Sequence, residues 1–475
     1  MRLTFAMALF GSYNGGRRIS GGVSMKKQSS FFLTVCALAV PVALQSMLQS
    51  SFGVVDQIMI GQLGSVSVAG VGLAGKFASI VSVAVAGIGS VAGIMMAQYL
   101  GQENPAAVRH SMRINLLLGC ALAGVFTLAC VLWPESIMGL YTQDDATRQA
   151  AAEYLAIVAG SFLPMTGATL VSTYYRCIEK ARIPLYASLL SALVNSGLNY
   201  VLIFGRLGLP AMGAAGAGAA TVISQTVNLA LMLLMLPGHR AALSVPAGSV
   251  RAARFSWRQY AGMLLPILIC EVVWSLGENV YAAIYGHMGT QASAAMTLTG
   301  PVQGLLIGAL CGLSQAAGVL IGKKLGSGDF DRAYRDAKRL SVYGAVGAAA
   351  LSAVIMLTAG AYVEIYQVED AVKQLTVQIL FAYALVAPFK VLNMILGGGV
   401  IRSGGKTKYI MAIDMIGTWG FGVPLGLVSA FVLHLAIPYV YFILSLEECV
   451  RFGLTAAVFR RRKWMNSLDA AGAEG

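Results

Sequence analysis

Long apolar segments recur along the whole chain, and short loops that are charged or rich in glycine and proline separate them. Each segment approaches the roughly 20 residues that an α-helix needs to cross the hydrocarbon core of a membrane. Only 11% of the residues are charged, whereas soluble domains carry about 25%. The pattern therefore predicts an all-α integral membrane protein with twelve transmembrane helices, near residues 31–57, 66–98, 113–133, 153–174, 184–204, 211–236, 259–285, 290–321, 339–361, 374–401, 409–431 and 438–459.

The distribution of lysine and arginine predicts how the chain is oriented. With the N-terminus inside, the inner segments hold 24 of these residues and the outer loops hold three, Arg148, Arg206 and Lys373. The positive-inside rule then predicts that both termini are cytoplasmic, in a multi-pass protein of the bacterial inner membrane. The net charge of +13 reflects this topology and contact with anionic membrane lipid. A nucleic-acid partner is excluded, because no basic stripe is interleaved with aromatic residues.

The sequence contains no recognisable enzyme or cofactor motif. Neither the phosphate-binding Walker A pattern nor the GxSxG and HExxH patterns occur. The seven cysteines are scattered singly and the four histidines lie far apart, so neither a metal centre nor a disulfide framework is indicated. We expect a protein that is not an enzyme and that has no cofactor.

The two halves of the sequence repeat each other. Adding 225 to a position, or 226 after one insertion, aligns residues of the same type over more than a hundred positions. Each half has six predicted spans, an even number, so the two repeats are parallel and related by an axis along the membrane normal. The aligned pairs include Pro41 with Pro266, Gly61 with Gly286, Gly64 with Gly289, Gly101 with Gly326, Tyr141 with Tyr366, and Arg176 with Arg402.

This repeat predicts the domain organisation. We expect a disordered N-terminal extension at 1–30 and an N-lobe with helices one to six at 31–238. A cytoplasmic inter-lobe linker at 239–257 precedes a C-lobe with helices seven to twelve at 258–462. A C-terminal tail at 463–475 ends the chain.

Several predicted spans carry polar side chains on one face. In the first span, Gln45, Gln49 and Asp56 fall within about 40° of one another on a helix. Because a carboxylate in hydrocarbon is costly, Asp56 is expected to face a cavity or a partner. The other polar or charged side chains that we predict to line a substrate cavity are Lys76, Gln225, Glu271, Glu278, Lys390, Asn393 and Asp414.

Structural interpretations of these polar residues stay open. In membrane proteins, asparagine and threonine side chains along one helix face also form hydrogen bonds between helices, without any role in transport. Lys390 and Asp414 are alternatively a structural ion pair. Glu447 and Arg451, four residues apart, are alternatively a pair that neutralises itself.

Several motifs together resemble the multidrug and toxic compound extrusion (MATE) family of transporters. The resemblance covers essentially residues 31–460, and the order and spacing of the motifs make it specific. It implies two six-helix lobes around a V-shaped central cavity, and the export of organic cations driven by Na⁺ or H⁺. The motifs are P-x-x-x-Q…VD-x-x-x-x-G-x-LG over Pro41–Gly64, its counterpart at Gly286–Gly289, YLGQEN and KLGSGD around Gly101 and Gly326, GAAGAGAATVISQ at 213–225 and IRSGGKTK at 401–408.

The resemblance also implies an ion-coupling site in the first lobe. Asp56 matches the first-helix acid of the family, Asn195 and Asn199 resemble its fifth-helix N-x-x-x-D pattern, and Thr221 matches a sixth-helix threonine. Asn199 stands where many relatives have aspartate, so the site keeps one formal negative charge. These four residues are the candidate Na⁺ site, but the missing carboxylate favours H⁺.

The resemblance is weaker in the second lobe. Glu271 resembles a seventh-helix acid found in part of the family, although its spacing from Pro266 and Gly289 differs. Lys390 stands where some relatives place an acid, and Asp414 is the partner we expect for it.

These observations predict a secondary antiporter for multidrug (xenobiotic) efflux in the cell membrane. It would act as a monomer surrounded by membrane lipid and export small organic cations in exchange for H⁺ or Na⁺. A flippase for a lipid-linked precursor is one alternative, which Lys76 and Lys390 favour and the mid-span acids oppose. A non-transport membrane scaffold or sensor is another.

Overall fold

The computed structural model describes residues 25–235 and 256–468, and in these ranges the chain is helical without β-strands. Among the described residues, eleven helical segments are long and apolar enough to cross a membrane. They match the first eleven predicted spans in order. The segments are Phe31–Gly61, Ser65–Gly101, Pro105–Leu132, Asp145–Cys177, Arg182–Phe204, Gly213–Leu234, Trp257–His287, Thr290–Gly326, Phe330–Val363, Asp370–Ile401 and Thr407–Val432.

Sixteen α-helices make up the described fold. A 3₁₀ turn at Ala159–Ser161 joins α5 to α6, and π-helical segments occupy Met394–Ile401, Ile416–Gly422 and Val428–Val432. The α-helices are α1 (Met25–Gly61), α2 (Ser65–Gly101), α3 (Pro105–Leu132), α4 (Pro134–Gly139), α5 (Asp145–Val158), α6 (Phe162–Cys177), α7 (Arg182–Phe204), α8 (Gly213–Leu234), α9 (Trp257–His287), α10 (Thr290–Gly326), α11 (Phe330–Val363), α12 (Asp370–Asn393), α13 (Thr407–Met415), α14 (Val423–Leu427), α15 (Ile437–Ser445) and α16 (Glu447–Arg460).

Parts of the predicted domain boundaries lie outside the described residues, namely residues 1–24, most of the inter-lobe linker and residues 469–475. Residues 25–30, assigned from sequence to the extension, form the first turns of α1. Within the predicted C-terminal tail, Trp464 is fully buried and donates from Nε1 to the carbonyl of Phe459 at 3.1 Å. All contacts reported below belong to the compact unit that starts at residue 37.

The predicted twelfth span is not one continuous helix. Residues 437–460 form α15 and α16, which are separated at Leu446. Two acids, Glu447 and Glu448, open α16. Negative charge at a helix N-terminus is favoured by the unpaired N–H groups of the first turn. The interruption therefore places two carboxylates side by side in a segment that is otherwise apolar.

The register of the sequence repeat reappears in local backbone geometry. Gly64 precedes α2 with φ +91°, and its counterpart Gly289 precedes α10 with φ +116°. Both values lie where side chains are poorly tolerated, which explains a glycine at each position. After these helices, Asn104 caps α3 by accepting from the N–H of Ala107. Asp329, 225 residues later, caps α11 by the same three-residue bond, to Arg332.

Helices α2 and α10 touch backbone to backbone near their C-terminal ends. A Cβ at Gly101 would collide with the carbonyl group of Lys323, and a Cβ at Gly326 would collide with that of Gln98. Gly101 and Gly326 are repeat counterparts, and so are Gln98 and Lys323. We call this contact the glycine crossing. It brings the two halves of the chain as close together as helix backbones allow.

Candidate functional site

Asp56 lies on α1 opposite α7. Asn199 donates from Nδ2 to Asp56 Oδ1 at 2.7 Å. Only 2% of Asn199 is exposed, and its Oδ1 has no hydrogen-bond partner. In the part of the chain that the structure describes, no lysine or arginine forms a salt bridge with Asp56. The carboxylate is thus held by a neutral amide rather than by a cation.

Asn195, one turn before Asn199, joins the same carboxylate. With its Nδ2 turned toward Asp56, it donates to the two carboxylate oxygens at 3.1 and 3.0 Å and accepts from Ser224 Oγ at 3.3 Å. With the amide reversed, Oδ1 accepts from Asn199 at 3.4 Å and Nδ2 donates to Ser224. Both orientations are bonded, so this amide can present either a donor or an acceptor to the acid.

Thr221 lies on α8 beside these residues. Its hydroxyl donates to the carbonyl of Ala217 at 3.0 Å, and its own carbonyl accepts from Ser224 Oγ at 3.0 Å. Tyr154 on α5 lies close enough to Asp56 to interact with its charge. Asp56, Asn195 and Asn199 are in hydrogen-bond contact, and Thr221 connects to Asn195 through Ser224. We call Asp56, Asn195, Asn199 and Thr221 the Asp56 cluster.

A second polar cluster surrounds Arg451 on α16. Its guanidinium lies 3.8 Å from Asp414, 3.8 Å from Glu447 and 3.7 Å from Glu448. It also donates to the hydroxyl of Thr418. The exposed fractions of Glu447, Glu448 and Arg451 are only 6%, 6% and 7%. We call Asp414, Glu447, Glu448 and Arg451 the Arg451 cluster; it has three potential negative charges and one positive charge.

Neutral side chains complete the Arg451 cluster. Tyr281 donates its hydroxyl to Glu447 at 2.5 Å, and Cys270 Sγ donates to Asp414 at 2.6 Å. Asn393 donates to both the backbone carbonyl and the carboxylate of Glu448 at 2.8 Å. These bonds and Arg451 hold the carboxylates in place from several helices. Charged groups in a protein interior are stable only with such hydrogen bonds and ion pairs.

A cavity adjoins this cluster, and a second cavity neighbours the first. One, of about 420 Å³, is lined by three residues of the cluster, Asp414, Glu448 and Arg451, and by the predicted residues Glu271, Lys390 and Asn393. The other, of about 340 Å³, is lined by residues from both halves of the chain. Glu271, Gly398 and Arg402 line both cavities, so the two spaces are neighbours.

The remaining predicted cavity residues lie elsewhere. Gln45 is buried and accepts from Arg176 at 3.4 Å. Gln49, Lys76 and Glu278 are exposed, and Gln225 is half-buried. None of these five lines either of the two cavities. Glu271, Lys390, Asn393 and Asp414 line the cavity of about 420 Å³ together, and the placement of the other five residues in a substrate cavity stays a prediction.

The expected pairing of Lys390 with Asp414 is also replaced by another. In the described residues Asp414 has Arg451 as its salt-bridge partner, while Lys390 lies close enough to Glu447 to interact with its charge. The reason is that α16 places Arg451 close to Glu447 and Glu448 in its own first turn and also close to Asp414 of α13. Glu447 and Arg451 thus do more than neutralise each other.

Sequence reasoning missed several residues of these sites, although some signals were present. Glu448 is three residues before Arg451, which puts it on the same helix face as Arg451. The repeat pairs Arg176 with Arg402, and that equivalence was the signal that could have placed both in one site. Tyr154 carried no signal, because a tyrosine in an apolar helix is ordinary.

A family model described as MatE matches residues 41–201 and again residues 266–428. The chain belongs to the MATE family. The two matches begin at Pro41 and Pro266, the pair that set the register of the repeat. This MATE protein is accordingly a multi-pass membrane protein of a transporter family associated with multidrug efflux.

Named relatives cover nearly the whole MATE chain. The uncharacterized transporter YisQ of Bacillus subtilis is 24% identical, over 93% of this chain and 97% of its own length. A probable multidrug resistance protein NorM of Bradyrhizobium diazoefficiens is 28% identical, over 92% of this chain and 95% of its own length. These relatives are transporters or proteins named for drug resistance.

Solved structures share the fold. A mutant of the Vibrio cholerae MATE transporter VcmN superposes with a TM-score of 0.84 at 15% identity, covering 93% of this chain and 100% of that one. A MOP superfamily transporter from Pyrococcus furiosus, described as having a binding pocket of reverse polarity, gives 0.80 at 16% identity, covering 90% and 95%. At these identities the likeness establishes the fold alone.

Proposed function

We propose that this MATE protein is a secondary antiporter that exports small organic cations in exchange for a coupling cation, and that the cation is H⁺ bound at Asp56. The observation that carries the proposal is the bonding of Asp56. Its partners are neutral amides, and none of the described basic residues compensates its charge. A carboxylate in such a setting changes its charge state without breaking an ion pair.

The two asparagines supply a means of coupling. When Asp56 is ionised, both amides can turn their N–H groups toward it, as Asn199 does at 2.7 Å. When Asp56 binds a proton or a metal cation, an amide oxygen becomes the better neighbour, and a half-turn of the side chain provides it. The unpaired Oδ1 of Asn199 is available for that exchange. Binding would thereby change the contacts between α1 and α7.

Na⁺ is the second candidate for the coupling ion. Asp56, Asn195, Asn199 and Thr221 offer oxygens of the kind that hard cations prefer. The cluster has only one formal negative charge, however, which favours the proton. The exchange then requires that the ion and the substrate bind preferentially to different conformations of the carrier.

The Arg451 cluster supports a cationic substrate. Its three carboxylates outnumber its one arginine, and two of them line the cavity of about 420 Å³. The lining of this cavity holds equal numbers of acids and bases, since Glu271, Lys390, Arg402 and Arg451 also belong to it, so an organic cation would bind next to the carboxylates rather than respond to a net charge. Trp274 lines the same cavity and offers an aromatic face to such a cation.

The architecture we propose has twelve spans, with α15 and α16 together as the twelfth, arranged as two six-helix lobes with a parallel repeat. The capping and glycine geometry at equivalent positions supports the repeat. Both termini would be cytoplasmic, and the carrier would work as a monomer in the lipid of the plasma membrane. The glycine crossing would then close the cytoplasmic side.

Transport by purified protein in liposomes tests the proposal. A fluorescent organic cation should be moved against its gradient when a pH gradient is imposed, and to a lesser extent with a Na⁺ gradient alone. Asp56→Asn should abolish the movement and the accompanying proton flux. Asp144→Asn is the matched control, because Asp144 is an exposed acid that caps α5. Full coupled transport by Asp56→Asn would overturn the assignment.

A flippase for a lipid-linked precursor is the second candidate function. Lys390, Arg176 and Arg402 line the two cavities and favour an anionic headgroup. Glu271, Asp414 and Glu448 oppose it. A fluorescent lipid with a diphosphate headgroup, accelerated across the bilayer by the protein in the absence of cation transport, would favour this alternative.

A further inference from the structure

Two arginines meet in the cavity of about 340 Å³ between the halves of the chain. Arg176 belongs to the last turn of α6, and Arg402 follows the π-helical segment Met394–Ile401. Both line the cavity, and the 226-residue offset of the repeat relates one to the other. Each repeat thus contributes one arginine to the same cavity.

Neither guanidinium is fully engaged by the protein. Arg176 donates from Nη2 to Gln45 Oε1 at 3.4 Å, and Arg402 donates from Nη1 to Ser90 Oγ at 3.5 Å. The Nε of each arginine is buried without a hydrogen-bond partner. Among the described residues, neither arginine has a carboxylate within 4.0 Å. Arg176 and Arg402 are half-buried, and one long bond to a neutral group satisfies each of these cations only weakly.

The lining of this cavity leaves room for an anion. Glu271 is its one acidic residue, against two arginines, so the lining carries excess positive charge. Glycine, serine and threonine make up most of the remaining wall, and their small side chains leave space near the guanidinium groups. A planar guanidinium matches a carboxylate or phosphate group with two parallel N–H bonds.

The neighbouring cavity has a different character. Asp414, Glu448 and the shared Glu271 line it, and an equal number of bases comes from Lys390, Arg451 and the shared Arg402. A space with excess positive charge therefore adjoins one in which carboxylates and cations balance. A ligand that spans both would pair an anionic group with the arginines and a cationic group with the acids.

We propose that Arg176 and Arg402 form an anion subsite for the carboxylate of zwitterionic substrates, whose amine binds beside the acids of the adjoining cavity. This inference rests on the proposed drug export and names a substrate class for it. It gives the arginines a role in selection: they discriminate a zwitterion from the cation that lacks the acid group. A half-buried guanidinium pair whose Nε atoms have no partner remains poorly satisfied without an anion, so the charged end of the substrate supplies the missing bonds.

A matched pair of dyes tests the subsite. A rhodamine with a free carboxylate is zwitterionic, and its methyl ester is a cation of nearly the same shape. We expect wild-type protein in liposomes to export both. In the double variant Arg176→Gln/Arg402→Gln, the ratio of acid to ester affinity should fall by about tenfold or more, because two charge-assisted bonds are lost. Arg148→Gln, at an exposed arginine of α5, should leave that ratio unchanged.

Equilibrium binding keeps the test informative if a variant does not transport. Fluorescence anisotropy of each dye with the detergent-solubilised full chain gives the same ratio without turnover. The lysine double variant, Arg176→Lys/Arg402→Lys, should lie between wild type and the glutamine variant, because it keeps the charge and loses the planar fork. An equal loss for acid and ester would show that the arginines only hold the helices together, and would overturn the subsite.

A further arm identifies the source of the anion. Inorganic phosphate and the anionic lipid phosphatidylglycerol are added separately to vesicles or micelles of phosphatidylcholine. Selective competition by the lipid against the acid dye would show that a lipid phosphate occupies the arginines and would overturn the substrate assignment. Export of neither dye by the wild type would refute the proposed function itself. Export of the ester with an unaltered ratio in the glutamine variant would refute only the subsite.

Discussion

Asp56 in the first half of the chain is bonded to neutral amides, whereas Asp414, Glu447 and Glu448 in the second half surround a buried arginine. Both arrangements keep carboxylates away from lipid, but they differ in how easily the charge can change. Protonating Asp56 rearranges hydrogen bonds only. Protonating an acid of the Arg451 cluster weakens an ion pair and leaves the arginine with less compensation. The first cluster is suited to exchange an ion, and the second to hold a fixed field.

The repeat shows where this difference arises. Tyr281 occupies the position that corresponds to Asp56, 225 residues later. Its hydroxyl donates to Glu447 at 2.5 Å. At this contact of the second half the acid therefore comes from the last helix, and the seventh predicted span contributes the donor. The corresponding position is polar in both halves, but a different helix carries the charge and the partner helix also differs.

The strongest test of the comparison removes the arginine. Arg451→Met leaves two buried carboxylates and the half-buried Asp414 without their cation, and we expect the free energy of unfolding to fall by about 3–5 kcal/mol. SDS-induced unfolding in mixed micelles measures this change. The loss of unfolding free energy should become smaller as the pH is lowered, because the unpaired carboxylates lose their charge when they bind protons. Asp56→Asn should have a much smaller effect on stability, and an equal loss in both variants would erase the distinction between the clusters.

The next test removes the contact that replaces Asp56 in the second half. Tyr281→Phe deletes one bond to a buried carboxylate, which is worth about 1.5–3 kcal/mol of unfolding free energy. Tyr383→Phe is the matched control, because that hydroxyl has only a 3.4 Å bond to the carbonyl of Gln303. If the two variants were equally stable, the Tyr281 bond would contribute nothing beyond packing.

A charge added to the first cluster should change its ion preference. Asn199→Asp places a second carboxylate next to Asp56 and makes the site more favourable for a metal cation. We expect the Na⁺ concentration for half-maximal stimulation of transport to fall by about tenfold, which is about 1.4 kcal/mol. Asn228→Asp, on α8 outside the Asp56 cluster, is the control for an added acid in the same half. An unchanged Na⁺ response would place the ion elsewhere.

The smallest effect concerns the thiol beside Asp414. Cys270→Ala removes an S–H donor, which is a weak one, and should lower the unfolding free energy by less than about 1 kcal/mol beyond the packing loss. Cys130→Ala, in an apolar cluster of the first half, gives that packing loss alone. The difference between the two variants, measured under the same unfolding conditions, isolates the bond.

Much of the fold could be predicted from the sequence, because membrane spans are set by length and hydropathy. Eleven of the twelve predicted spans coincide with helices of the structure. The break at Leu446 could not be predicted, since it depends on how α16 packs its acids around Arg451. The sequence of a membrane span gives its length and hydropathy, but a break that depends on the neighbouring helices is not visible in it.

The two clusters differ in predictability for a physical reason. The Asp56 cluster was named in full from the family motifs, because each of its residues sits in a recognisable segment. The Arg451 cluster combines residues from separate helices, and periodicity within one helix says nothing about Asp414 meeting α16. Arg402 follows a π-helical segment, whose wider turns move a side chain off the face that α-helical spacing predicts. Its place in the cavity therefore required coordinates.

The glycine crossing has a consequence for how the two halves can separate. In each half a glycine leaves a gap in the helix surface, and a backbone carbonyl of the other half fills that gap. The two halves thus contact each other in the same way, as in the self-complementary interface of a two-fold dimer. We expect these two contacts to separate together, because both lie on the same pair of helix ends. The ends of α2 and α10 would then part in a single step, which would give a carrier two discrete states.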